Sequence, residues 1–180
     1  AVQSSGNVLL PMHIHPLSYG SPLSEILPIP PLIEAAKQIG HVHVELDQDG
    51  LARGIYLNSG VGDDHWPSLS MAMAIEVNPM IRYLKEVTDR KKAPYISVSS
   101  EFRLIPFAGP QGTYPTYSYL DVMADNVPAE EFRDKVVIVG ATAAGLGDII
   151  PTPVTSQNAP MSGVEFHANA YAAIMADTAI

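Results

Sequence analysis

Six histidines and nineteen acidic residues carry most of the chemistry open to this 180-residue chain. His41, His43 and Glu45 alternate with Val42, Val44 and Leu46, so a strand would place all three on one face. Two histidines spaced by two can face one Zn²⁺, with the carboxylate completing the set, as a metal-dependent hydrolase would need. A solvated strand face presents the same pattern. His13 and His15 form a second such pair in an extended segment, and nothing in the sequence shows that the pairs meet.

Glu45, Asp47, Asp49 and Gly50 match the early positions of a calcium loop, but Tyr56 stands where a bidentate Glu belongs, so a turn explains them better. Gly140 to Gly145 has the G-x-x-x-x-G spacing of a phosphate loop. Leu146 and Gly147 stand where that chemistry demands Lys and Ser/Thr, so a tight turn after a buried strand is the reading. Neither G-x-S-x-G nor H-E-x-x-H occurs, and Asp63-Asp64-His65 reads as a solvated loop. His167, beside Tyr171 and Ile174 on a helix, is either a core-edge histidine or a pH-sensitive ligand contact. Asp148 follows a strand's carboxyl end, where open α/β sheets place ligands; the plainer reading is an Asx cap.

Bulk composition narrows the class. The formal charge of −9 opposes binding to nucleic acid and to anionic lipid. No cysteine is present, which removes disulfides, thiolate nucleophiles and Cys-type zinc sites. No apolar run reaches the ~18 residues of a bilayer span, and no cofactor is implied. Of the sixteen prolines, many cluster near Pro11–Pro31, Pro106–Pro115 and Pro151–Pro160, which predicts extended loops there.

Between those loops the pattern predicts a single domain over residues 1–180, of α/β class: a mixed, largely parallel sheet with flanking helices plus a β-hairpin. Val8 to Met12 reads as a short buried strand, and Leu32, Ala35, Ala36 and Ile39 as a helix face entered at Pro30-Pro31. Residues 41–46 and 51–57 are the arms of the hairpin, turning at Asp47–Gly50. Trp66 to Ile75 is apolar nearly all round and predicts a buried helix. Tyr95–Ser99 and Phe102–Phe107 read as strands, and Ser118 opens a short helix. Lys135 to Gly140 is a continuous apolar run, as in a parallel strand covered on both faces. Ser162 to Glu165 is a capping box that opens a last helix, with Val164, Ala168, Tyr171 and Met175 as its stripe.

Several of these motifs stand in an order that resembles the type-two CHASE domain, a cyclase/histidine-kinase-associated sensory extracellular module. They are Lys135 to Ala143 as K-x-V-x-I-G-A-T-A, Gly145 to Asp148 as G-x-x-D, Thr152-Pro153, and Gly163 to Ala170 as G-V-E-x-H-A-N-A. Upstream, Gly40 to Val44 with Asp47, Asp49-Gly50 and Arg53 is similar to the family's hairpin. Pro67 to Ser70 and Pro106 to Pro110 resemble its buried-helix entry and its glycine-proline loop. The proline that normally precedes Gly163 is displaced to Pro160, and nothing corresponds to the family's further N-terminal strand and helix. The resemblance therefore implies the later portion of such a domain, with an edge left open to pairing or to a homodimer.

It further implies an extracytoplasmic, periplasmic, non-catalytic sensor. An unknown small-molecule or protein signal would pass from it through membrane helices to a histidine kinase, nucleotide cyclase or diguanylate cyclase on the same polypeptide. Within the matched motifs, Thr142, Asp148, Thr152, Glu165 and His167 are the candidate ligand-binding residues.

Overall fold

The computed structural model describes residues 2–16, 18–19, 21–81, 95–142, 148–155 and 160–179. After a single helical turn, α1 (Val2–Ser5), the chain enters β1 (Leu9–Pro16), where Met12 and Ile14 point inward and Pro11, His13 and His15 outward. β2 (Leu23–Ile26) pairs antiparallel with the second half of β1. α2 (Pro30–Ala35) starts on its two prolines and leads into β3 (Gln38–His41), which lies parallel to the first half of β1 with Met12 opposite His41. Ile39, expected on the helix, is a buried strand residue instead.

β4 (Gly54–Val61) is the centre of a second, antiparallel sheet, between β5 (Trp66–Pro67) and β6 (Ser97–Leu104). The expected hairpin of residues 41–46 and 51–57 does not form: β4 pairs with β6, from Gly54 opposite Leu104 to Val61 opposite Ser97. Period-two alternation marks the faces of a strand but does not name its neighbour, and a distant segment supplies the better cross-strand pairs. Tyr56 and Phe102 stack edge-on at 5.1 Å across this ladder. The two strands expected at 95–99 and 102–107 are one continuous β6.

α3 (Leu69–Val77) is capped by Ser68, whose Oγ accepts from Met71 N at 3.1 Å, and Ser70 to Ala74 are all buried. β3 lies directly on its first turn. A Cβ at Gly40 would stand 2.6 Å from the Leu69 Cα, so no other residue allows that approach. α4 (Tyr119–Met123), a 3₁₀ turn (Ala129–Glu131), β7 (Ile149–Ile150) and β8 (Met161–Ser162) precede α5 (Gly163–Met175). One core gathers Ala52, Ile55, Leu57, Ile105, Met161, Phe166, Ala170 and Ala173. A smaller one holds Met12, Ile14 and Ile39 against Val61 and Trp66.

Two expectations for the C-terminal part are overturned. Residues 136–142 form no strand, and Val137 and Val139 are 52% and 74% exposed. Hydrophobicity reports that a segment seeks cover; it does not supply the neighbours, and the parallel pair of β1 with β3 does not extend to it. Among the described residues from Pro106 to Ile150 none is buried. Gly140 is brought against α5, near enough to Val164 that an added Cβ would sit 3.2 Å from it. On α5 itself the predicted stripe is the less buried side. Phe166, Asn169, Ala170 and Ala173 face the core, because polar Asn169 finds partners there that the apolar pattern did not count. The α/β class holds, with parallel pairing among the described residues at β1–β3 and at a bridge from His41 to Ser68.

Candidate functional site

The turn at residues 47–53 has acidic residues at calcium-like spacing, and Arg53 takes the place of the cation. Its guanidinium donates to Asp47 at 2.6 Å and to both oxygens of Asp49 at 2.9 and 2.6 Å. This holds the Asp49 carboxyl down at about 2, the Arg53 hydrogen bonds being the main cause. The turn closes through Gly50 N to Asp47 O and Asp47 N to Leu51 O.

The histidine-carboxylate set also resolves differently from its zinc reading. His41 is fully buried, and its Nδ1 accepts from the backbone N of His43 at 3.3 Å. Its Nε2 has no hydrogen-bond partner within normal geometry, and the Tyr56 backbone beside the ring favours the charged form only weakly. Burial, then the positive charge that His43 and His167 would carry, push its pKa down to about 3. Burial likewise lowers His43. Among the described residues no group of three His, Asp or Glu side chains could hold a metal ion. Zn²⁺ added in several-fold excess over the chain is therefore expected to leave its melting temperature unchanged. A saturable rise, the signature of binding to the folded state, would restore the hydrolase reading.

The candidate ligand residues are mostly spoken for by the protein itself, and α5 is where they meet. Ser162 Oγ caps the helix by accepting from Glu165 N at 3.4 Å. The reciprocal half of the capping box is absent, because Gln111 Oε1 accepts from Ser162 N instead, at 2.7 Å. The Glu165 carboxylate, nearly buried, turns to the loop after β6 and accepts from Gly112 N and Thr113 N at 2.8 Å and Tyr114 N at 3.4 Å. One helical turn later Asn169 Oδ1 accepts from Ala108 N at 2.9 Å, while its Nδ2 donates to Glu165 O. Two side chains at i and i+4 thus stitch residues 108–114 to α5.

His167, between them in sequence, points to α3. Its Nδ1 lies 3.0 Å from Ser70 Oγ, and the same hydroxyl donates to the His167 carbonyl at 3.1 Å. Burial depresses its pKa to about 4, with a lesser push from His13. Asp148 is exposed; its carbonyl accepts from Gly163 N, and its carboxylate lies so close to the Gly163 Cα that a Cβ there has no room. Thr152 is buried in a turn closed by Thr155, with its own Oγ1 unpartnered. Thr142 is exposed at the end of the unpaired ribbon. Residues 143–147 of the glycine loop lie outside the described residues. Asp148, Glu165 and His167 therefore converge on one helix without sharing one opening.

Sequence reasoning missed Ser70, Asn169, Gln111 and Glu25. Ser70 had a legible signal, since a hydroxyl inside an otherwise apolar helix needs a partner. Glu25 joins the two sheets, accepting from Val61 N at 2.8 Å and meeting His65 Nε2 at 3.1 Å. Burial works against its charge, but Val61, Trp66 and His65 outweigh it and hold the carboxyl below its ordinary range.

Among the described residues no helix is long and apolar enough to cross a membrane. The family model described as the CHASE2 domain matches residues 1–180. No curated protein matches the chain. No solved structure matches it either.

Proposed function

The chain belongs to the CHASE2 domain family, whose members are extracellular sensory domains, and from that membership we propose that it is the signal-input part of a bacterial transmembrane receptor. In this reading a signal received outside the membrane biases the position of α5, and membrane helices carry that bias to a cytoplasmic histidine kinase, nucleotide cyclase or diguanylate cyclase. The domain itself is non-catalytic and sits on the periplasmic side.

One observation supports α5 as the element that moves. It is held through polar contacts by three separate parts of the molecule: the loop at 108–114, α3, and Asp148 at its first residue. Polar joints of this kind have discrete made and broken states, which a two-state sensor requires. A signal that takes such an element from 1:99 to 99:1 must favour one state by about 5.5 kcal/mol.

The test is the complete receptor. Asn169→Ala and Glu165→Gln loosen the joints, and the rate of output-domain product formation in cells is expected to shift at least severalfold from its basal value. Output identical to wild type in both variants, or a complete gene that encodes no hydrophobic span, would overturn the reading.

A further inference from the structure

Building on the sensory reading above, we infer that the proton is a signal this domain reads, taken up by His167, which thereby releases α5 from α3. The joint is a buried polar contact set within the packing of two helices: Ser70 Oγ from α3, wholly buried, against the Nδ1 and carbonyl of His167 on α5. One hydroxyl proton serves one acceptor at a time. When the carbonyl takes it, Nδ1–H donates to Oγ and Nε2 is the basic nitrogen left to accept a proton. That nitrogen belongs to a side chain in a residue only 5% exposed.

What surrounds the ring decides the outcome of protonation. α3 brings one titratable residue, Glu76, and it is held by Lys37 at 2.6 Å. On α5 itself, Glu165 spends its carboxylate on the N–H groups of 112–114, and Tyr171 one turn on is a neutral phenol. From β3 comes His41, fully buried, and from β1 comes His13; His43, with Glu45 beside it, follows β3. Among the described residues the set facing His167 is therefore imidazoles and a hydroxyl, with no carboxylate turned to it to stabilise an imidazolium. A proton on His167 is an uncompensated buried charge next to two more bases, and separation of the helices, which hydrates the ring, is the way to accommodate it. Burial already holds the ring neutral well below its ordinary range. Below pH ~6.5 the ratio of open to closed α5 should then rise about tenfold per pH unit.

The experiment is amide hydrogen exchange on the wild-type 180-residue chain at pH 7.5 and 5.5, corrected for intrinsic rates, with the histidine ring resonances followed in parallel. Opening of α5 amides 166–173 is expected to increase about tenfold at pH 5.5 relative to β4 amides, in step with titration of the His167 ring. His167→Gln should abolish that pH dependence. Ser70→Ala should leave α5 loosened at both pH values, marking Ser70 as a positioning residue. Equal loss of protection in α5 and β4 would overturn the inference, because it is plain acid unfolding. So would an α5 that opens while the His167 ring remains neutral, an observation that needs no variant to fold. The complete receptor separates the two readings. Output indifferent to external pH but altered by Asn169→Ala sinks the proton while keeping the sensor; output moved by neither sinks the sensor.

Discussion

Glu165→Ala is expected to lower the melting temperature by roughly 6–12 °C, from a loss of about 3 kcal/mol at 2–4 °C per kcal/mol for a chain of this size. The carboxylate accepts from three consecutive backbone donors, Gly112, Thr113 and Tyr114, and is itself 5% exposed. Removing it strands those donors and leaves a cavity at the start of α5. Their loop is partly open to water, which keeps the cost well under the sum of three charge-assisted bonds. Glu165→Gln retains one acceptor oxygen and should recover about half of the loss. Thermal unfolding followed by circular dichroism reads both variants. A shift below ~2 °C for the alanine variant would mean that the 112–114 loop is anchored elsewhere.

Acid should destabilise the fold at least as much. His41 and His167 are held to about 3 and about 4 in the folded chain, chiefly by burial, against 6.5 when exposed. Between 6.5 and 4 the unfolded chain binds more protons than the folded one, so stability falls as pH falls. Above 6.5 neither histidine contributes to the slope, and below 4 only His41 still does. Each costs about 1.4 kcal/mol per pH unit inside its window, or roughly 4 kcal/mol for the pair at pH 5. Urea titrations at pH 7.5, 6.0 and 5.0 in constant salt measure the slope, and His41→Gln should halve it. A flat wild-type profile over that range would show that neither ring is buried neutral. Global loss and the earlier local release of α5 differ in which amides respond.

The glutamate and histidine of the last helix illustrate how far motif reading reaches. The motif picked out both residues and the capping serine, and each is buried and bonded. Their partners were not legible: Gly112 to Tyr114 lie some fifty residues upstream and Ser70 nearly a hundred, and no local pattern encodes which distant donor a buried acceptor will meet. At Asp47 to Gly50 the expected turn forms, and the fate of its calcium-like carboxylates has a related explanation. Spacing shows that carboxylates can converge, while Arg53, only four residues beyond Asp49, decided what they converge upon.

What the sequence determined by itself is what local chemistry dictates. The S-x-x-E start of α5, the buried apolar helix behind Ser68, the strand at Leu9 and the order of the family motifs all depend on residues within a few positions of one another. The pairing of β4 with β6, the exposure of the ribbon at 136–139 and the joining of His167 to Ser70 were decided only by the tertiary structure. A strand's partner, an apolar run's cover and a buried imidazole's neighbour are each chosen by competition among segments far apart in the chain. That competition is settled by which contacts can be satisfied together in space, and periodicity along the chain does not record it.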